Sequence, residues 1–208
     1  MILVGQYDSP FVRRVAVSLH LLGFGYEHRP WSVFSDADRV ATVNPLCRVP
    51  VLLLDDGEVL IESGAILDHL DEVAGAERRL LPVSGPARRR ALHLAALATG
   101  LADKAVSLVY ERALHEATSA VWIARCEGQI AATLARLEAA APAGPGFLGG
   151  AAAPGHADVA LGCALRFLRE AHPALFDAAR WPGLDALAAR LEALPAFAAV
   201  VQPFVPPR

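Results

Sequence analysis

Every strand signal in this 208-residue chain lies before residue 62, and none follows it. Ile2–Val4, Tyr26–Trp31, Val51–Leu54 and Val59–Ile61 are short apolar or β-favouring runs bounded by turn-forming residues. Helical spacing fills the gaps between them. From Pro10 to Leu22 the residues Val12, Val15, Ala16, Leu19 and Leu22 fall on one 3.6-residue stripe, which Gly23 and Gly25 end. A shorter helix is expected from Ser35 to about Val43, with Ser35 or Asp36 as its cap. Asp55-Asp56-Gly57-Glu58 is a strong hairpin turn between the last two strands. Ser63 is then expected to cap a helix carrying Ile66, Leu67 and Leu70. The resulting order is βαβαββα, a parallel half followed by an antiparallel hairpin.

Between Gly75 and Arg90 the chain turns to Gly, Pro, Ser and Arg, interrupted by Leu80-Leu81-Pro82. Beyond it, Ala and Leu dominate. Leu94, Leu97, Leu101, Ala105 and Leu108 mark a long helix starting near Arg88, and Trp122, Cys126, Ile130, Leu134 and Leu137 mark a second. Pro142–Pro154 is a loop, helices follow over about His156–Ala171 and Leu184–Leu194, and a Pro-rich tail closes the sequence. The fold class is therefore α+β. Residues 1–77 form the strand-containing domain, 78–86 the linker, and 87–208 an all-α helical domain.

Residues that are 54% hydrophobic and 20% charged exclude a disordered chain, and a net charge of −3 gives no electrostatic case for nucleic acid or an anionic membrane surface. Charges or Pro interrupt each apolar run that could approach bilayer length. Arg78-Arg79 and Arg88-Arg89-Arg90 read as solvated helix faces. The seven histidines lack ligand spacing, so no metal site is expected. Cys47, Cys126 and Cys163 are an odd, scattered set, which fits a reducing compartment and no disulfide framework. The chain opens on a strand rather than a leader-like segment, and a cytoplasmic location is expected.

Three short signatures carry the chemistry. Ser9-Pro10-Phe11-Val12-Arg13 turns the first strand into a helix: Ser9 suits the N-cap and Pro10 the first helical position, where no N–H is needed. A hydroxyl there lies beside unpaired N–H groups and the positive end of the helix dipole, a setting for an anion such as a thiolate. The plainer reading of Ser9 is a cap alone. Val49-Pro50 precedes the third strand, where a proline is tolerated for want of a donor. Glu62-Ser63 opens a helix straight after a strand.

Taken in order, these signatures resemble the soluble glutathione transferase family, of bacterial type, and the βαβαββα order resembles the thioredoxin-like fold. Asn44-Pro45-Leu46-Cys47-Arg48-Val49-Pro50-Val51-Leu52 is similar to the family's Asn-Pro-x-x-x-x-Pro-x-Leu run. The resemblance implies a cis bond at Pro50, with the Val49 backbone pairing with the cysteinyl part of glutathione. It implies that Ser63 receives the γ-glutamyl carboxylate, that Glu62 accepts from the α-amino group, and that Phe11 and Arg48 complete the glutathione site. Arg48 has the alternative of a solvated loop cation. Ser9 would be the catalytic hydroxyl activating glutathione as thiolate for attack on a small electrophile. Tyr7, at the end of the first strand, is the competing donor. Glutathione is then a co-substrate and no further cofactor is implied. Peroxide reduction, thiol–disulfide exchange and a non-catalytic regulatory role are the alternatives. Ser9 in place of Cys counts against exchange.

Pro154-Gly155-His156-Ala157-Asp158 is similar to the family's Ser/Thr-x-x-Asp capping segment, with Gly155 where the hydroxyl residue is expected. Asp158 is read as a folding element. Asp103, on the long helix, is either a group that holds the ligand's amino end across a dimer or a solvated charge. Cys47 is either an incidental loop thiol or a redox-sensitive one. A homodimer is implied by the resemblance and by the apolar Ala/Leu helix.

Overall fold

The computed structural model of the chain describes residues 1–207, which divide into two compact units. The first is Met1–Leu80 together with Pro195–Pro203, and the second is Leu81–Leu194 with the segment from Phe204 onward.

The first unit contains β1 (Ile2–Val4), α1 (Pro10–Leu22), β2 (Glu27–Arg29), α2 (Ala37–Val43), β3 (Val51–Leu53), β4 (Val59–Ile61) and α3 (Ser63–Ala74). The strands form one mixed sheet in the order β2-β1-β3-β4. β1 and β2 are parallel, with Leu3 opposite His28. β3 runs antiparallel to both β1 and β4, with Leu52 opposite Leu3 and Leu60. This is the expected order, with β2 trimmed to three residues. Leu3, Val4, Val51 and Leu52 on the sheet are buried with Val12, Val15, Ala16 and Leu19 of α1 and Ile66, Leu67 and Leu70 of α3. α1 and α3 pack against each other, so the starts of both helices are held by one core.

In the second unit, α4 (Gly85–Leu114), α5 (Ala120–Glu138), α6 (His156–Ala171) and α7 (Pro182–Glu192) bury Leu101, Leu108, Ile130, Leu134, Leu165, Leu168, Leu187 and Leu191. Twelve of the sixteen residues of α6 are buried, which makes it the central helix of this unit. Small residues at Ala98, Ala102 and Ala105 of α4 and Ala157, Ala160 and Ala164 of α6 suit the extensive packing of these two helices. A last short helix, α8 (Pro195–Ala198), belongs to the first unit and packs on α1.

Four local expectations are corrected. The long helix begins at Gly85 rather than Arg88. By length and composition α4 could cross a bilayer, although the sequence reading found no such run. The core helix of a bundle has the same composition, and α4 buries Leu94, Ala98, Leu101, Ala105 and Leu108 within its unit. Ser63 does not cap α3 but is its first residue. The cap is Glu62, whose φ of 65° is in the left-handed region and whose side chain makes no cap bond. Arg79 is not a solvated charge: its side chain is 19% exposed and lies 3.9 Å from the buried Asp71 carboxylate.

Candidate functional site

The Ser9 turn starts at Gly5, where β1 ends. Gly5 has φ 126°, and a Cβ there would lie 2.5 Å from Val12 Cγ2 and 2.8 Å from Val49 Cβ. Only glycine lets the β1 end, α1 and the segment before β3 come this close. Ser9 then caps α1: its Oγ accepts from the Val12 N–H at 3.4 Å, its carbonyl accepts from Arg13 N at 2.9 Å, and Pro10 takes the first position. The bond to Val12 is long, so the hydroxyl is only loosely committed as an acceptor. Among the described residues its proton is donated to no group of the chain. Phe11 follows, half-buried.

Tyr7 is committed elsewhere. Its hydroxyl is 2.7 Å from that of Tyr26, its ring stacks on His28 with centroids 3.9 Å apart, and burial raises the pKa of its phenol. The Tyr26 phenol is raised further, by burial and by its bond to Tyr7.

The loop before β3 is organised by Asn44, which is 2% exposed. Its Nδ2 donates to the Arg48 carbonyl at 2.8 Å, and its Oδ1 accepts from Leu46 N at 3.0 Å. Cys47 sits at the bend with φ 50°, its thiol 3.5 Å from the Ala37 carbonyl. Val49–Pro50 is cis, as the resemblance implies. Arg48 and Glu62 are brought together in an ion pair of 3.1 Å, with both side chains more than half exposed.

At the start of α3, Ser63 is buried, and its Oγ accepts from Arg14 Nη1 at 3.3 Å. The Ser63 proton is thereby left for a third party, beside a helix N-terminus whose N-cap residue, Glu62, makes no side-chain cap bond. Arg14, 7% exposed on α1, adds buried positive charge to this end. Asp103 lies in the other unit, exposed and 3.0 Å from Lys104.

Asn44, Arg14 and Gly5 were not singled out from the sequence. Arg14 was visible only as half of a basic pair. Asn44 stands in the Asn-Pro run with no local pattern to mark its side chain's role, and Gly5 carries no local signal for the close approach it permits.

Comparison with known proteins identifies the family. The N-terminal domain of glutathione S-transferases matches residues 3–78, and the C-terminal domain matches residues 120–198. A probable glutathione S-transferase from Zea mays is 33% identical, the match covering 94% of this chain and 88% of the maize protein. A glutathione S-transferase from Methylobacterium radiotolerans, solved in complex with glutathione sulfonate, superposes with a TM-score of 0.89 at 32% identity. That superposition covers 98% of this chain and 95% of the other. A glutathione transferase family member from Pseudomonas fluorescens Pf-5 with bound glutathione gives 0.82 at 32% identity, covering 98% and 99%. The hydroxyl-capped α1, the cis proline before β3 and the Glu62-Ser63 start of α3 thus sit in a chain that belongs to the glutathione S-transferase family and is a glutathione transferase.

Proposed function

We propose that this chain binds glutathione on its first unit and that Ser9 donates a hydrogen bond to the sulfur, holding it as thiolate for attack on a small electrophile. The observation that carries this reading is the Ser9 hydroxyl: it accepts from Val12 and has a proton to give, at the positive end of α1. A free thiol titrates at ~8.5. Lowering it by about two units takes roughly 2.7 kcal/mol. One hydrogen bond to a charged partner contributes about 1.5–3 kcal/mol, and the helix end about 0.3–1. The two together reach the required size.

The remaining residues supply anchors in this reading. Ser63 and the free N–H groups of α3 receive the γ-glutamyl carboxylate, supported by Arg14 underneath. The Val49 backbone pairs with the cysteinyl part, and Glu62 takes the α-amino group. Arg48 meets the glycyl carboxylate once ligand charges compete for the exposed Arg48–Glu62 pair. Tyr7 is the weaker candidate donor, because its hydroxyl is bound to Tyr26 and burial holds its proton. The same reading includes a homodimer and a cytoplasmic location. Sedimentation at a single monomer mass would count against the dimer.

Calorimetric titration with glutathione should show one site per chain. In Ser9→Ala the affinity should change by less than about threefold. Turnover with an electrophile should fall about 10–100-fold, the equivalent of one charged hydrogen bond. Normal turnover in Ser9→Ala would refute the assignment.

A further inference from the structure

The Ser9 turn is not held by its own neighbourhood alone. Arg13, in the first turn of α1, is 2% exposed, and its guanidinium is directed at backbone carbonyls near the C-terminus. Its Nε donates to Val200 O at 2.9 Å and its Nη2 to Phe197 O at 3.3 Å, while the Phe197 ring lies 5.3 Å from the guanidinium carbon. Phe197 and Val200 are themselves buried. Two residues further on, Gln202 Oε1 accepts from the Tyr7 backbone N–H at 3.0 Å. Residues 195–203 therefore grip the loop–helix junction on both sides of Ser9, at Tyr7 before it and at Arg13 after it. A planar guanidinium with several fixed donors suits capture of two carbonyls at once.

We propose that the segment Pro195–Gln202 is a positioning strap for the Ser9 hydroxyl, with Arg13 as its buried anchor and Gln202 as the positioning residue. Gln202 acts through the Tyr7 amide and touches no reacting atom. Without that bond the residues between Gly5 and Ser9 gain freedom, and the hydroxyl spends less time aimed at a bound sulfur. The anchors at Val49, Glu62 and Ser63 lie on other segments and are untouched. The catalytic consequence rests on the Ser9 reading above, whereas the strap itself does not.

The test uses the full chain and two variants. Gln202→Met keeps the stem and removes the acceptor; Gln202→Glu keeps an oxygen that accepts from the same N–H. Hydrogen exchange at the Tyr7 amide needs no ligand. It should be protected in the parent, about fivefold faster in Gln202→Met, and protected again in Gln202→Glu, since one net hydrogen bond is worth about 1 kcal/mol. In turnover, Gln202→Met should lower kcat several-fold with the KM for glutathione unchanged, and Gln202→Glu should recover most of it. A Tyr7 amide that exchanges freely in the parent overturns the strap. So does a Gln202→Met enzyme with parental kcat, or one whose kcat, KM and melting temperature all worsen together and are not rescued by Glu. A parent that binds no glutathione would refute the Ser9 reading, and the exchange measurement would still decide the strap.

Discussion

The starts of α1 and α6 solve one problem with opposite chemistry. Both helices begin with backbone N–H groups that lack intrahelical partners. At α1 the cap is a neutral hydroxyl that makes one long bond and keeps its proton. At α6 the N-cap is Gly155, which has nothing to offer, and Asp158 in the first turn does all the work. Its Oδ2 accepts from Gly155 N at 3.0 Å and its Oδ1 from Leu148 N at 2.8 Å. That carboxylate is 2% exposed, and burial raises its pKa even though backbone bonds pull it down. The C-terminal end of α6 is tied as well. His172 Nε2 is 2.9 Å from the Ala105 carbonyl and its Nδ1 is 3.0 Å from Arg112 Nη1, which assigns the neutral tautomer with the proton on Nε2. One helix start keeps hydrogen-bonding capacity in hand; the other has spent it all on the fold. A group can serve a ligand only where the fold has not already used it.

The sharpest break between the two should appear in stability. Asp158→Ala strips the acceptor from two N–H groups, one of them buried, and should lower the unfolding free energy by about 2–4 kcal/mol in denaturant titrations. The correctly folded fraction should keep its glutathione affinity. A stable Asp158→Ala protein that no longer binds glutathione would collapse the contrast. Ser9→Ala should cost less than about 1 kcal/mol of stability, because the bond it removes is 3.4 Å long, while turnover falls. A large stability loss there would make Ser9 a structural cap after all.

His172 sharpens the comparison through pH. Burial and the Arg112 charge lower its pKa in the fold, so the neutral form is favoured. The stability this contributes is present above the ordinary histidine pKa of ~6.5 and is lost as pH falls below it toward the lowered folded value. Melting temperatures measured from neutral to mildly acid pH should fall in the parent. They should fall less in His172→Gln, whose amide can donate to Ala105 and accept from Arg112 as neutral imidazole does. Equal acid sensitivity would remove His172 from the account. The smallest effect is expected from Tyr7→Phe: turnover should change by less than about threefold, since its hydroxyl is engaged with Tyr26. A larger loss would move the activating role from Ser9 to Tyr7.

Local signals were legible where a residue's own backbone chemistry decides the outcome. Ser9-Pro10 announced a helix start, Asp55-Asp56-Gly57-Glu58 a hairpin, and Gly23 a helix end, which the structure forms with φ 74°. Asp158 was legible as half of a cap for the same reason. Ser63 was misread by one position because a left-handed Glu62 is an unusual cap and leaves no sequence signal. Arg13 and Arg14 stand side by side in the sequence as a local basic pair, with nothing beside them to mark either as buried. Their burial depends on carbonyls near residue 200 and on a hydroxyl at residue 63, and periodicity carries no information about partners that distant.

What the sequence determined by itself is the order of elements, the break between a strand-containing unit and a helical one, and the Ser9-Pro10 start of α1. These follow from propensities and turn chemistry acting over a few residues. Tertiary structure alone decided which helix-start groups remained unspent. It turned Tyr7 toward Tyr26, set Arg14 under Ser63, tied Asp158 to Leu148, and brought Gln202 back to Tyr7 across 195 residues. A hydrogen bond needs two groups within about 3 Å, and which groups meet at that distance is settled by how the core packs, not by what stands next to each of them in the chain.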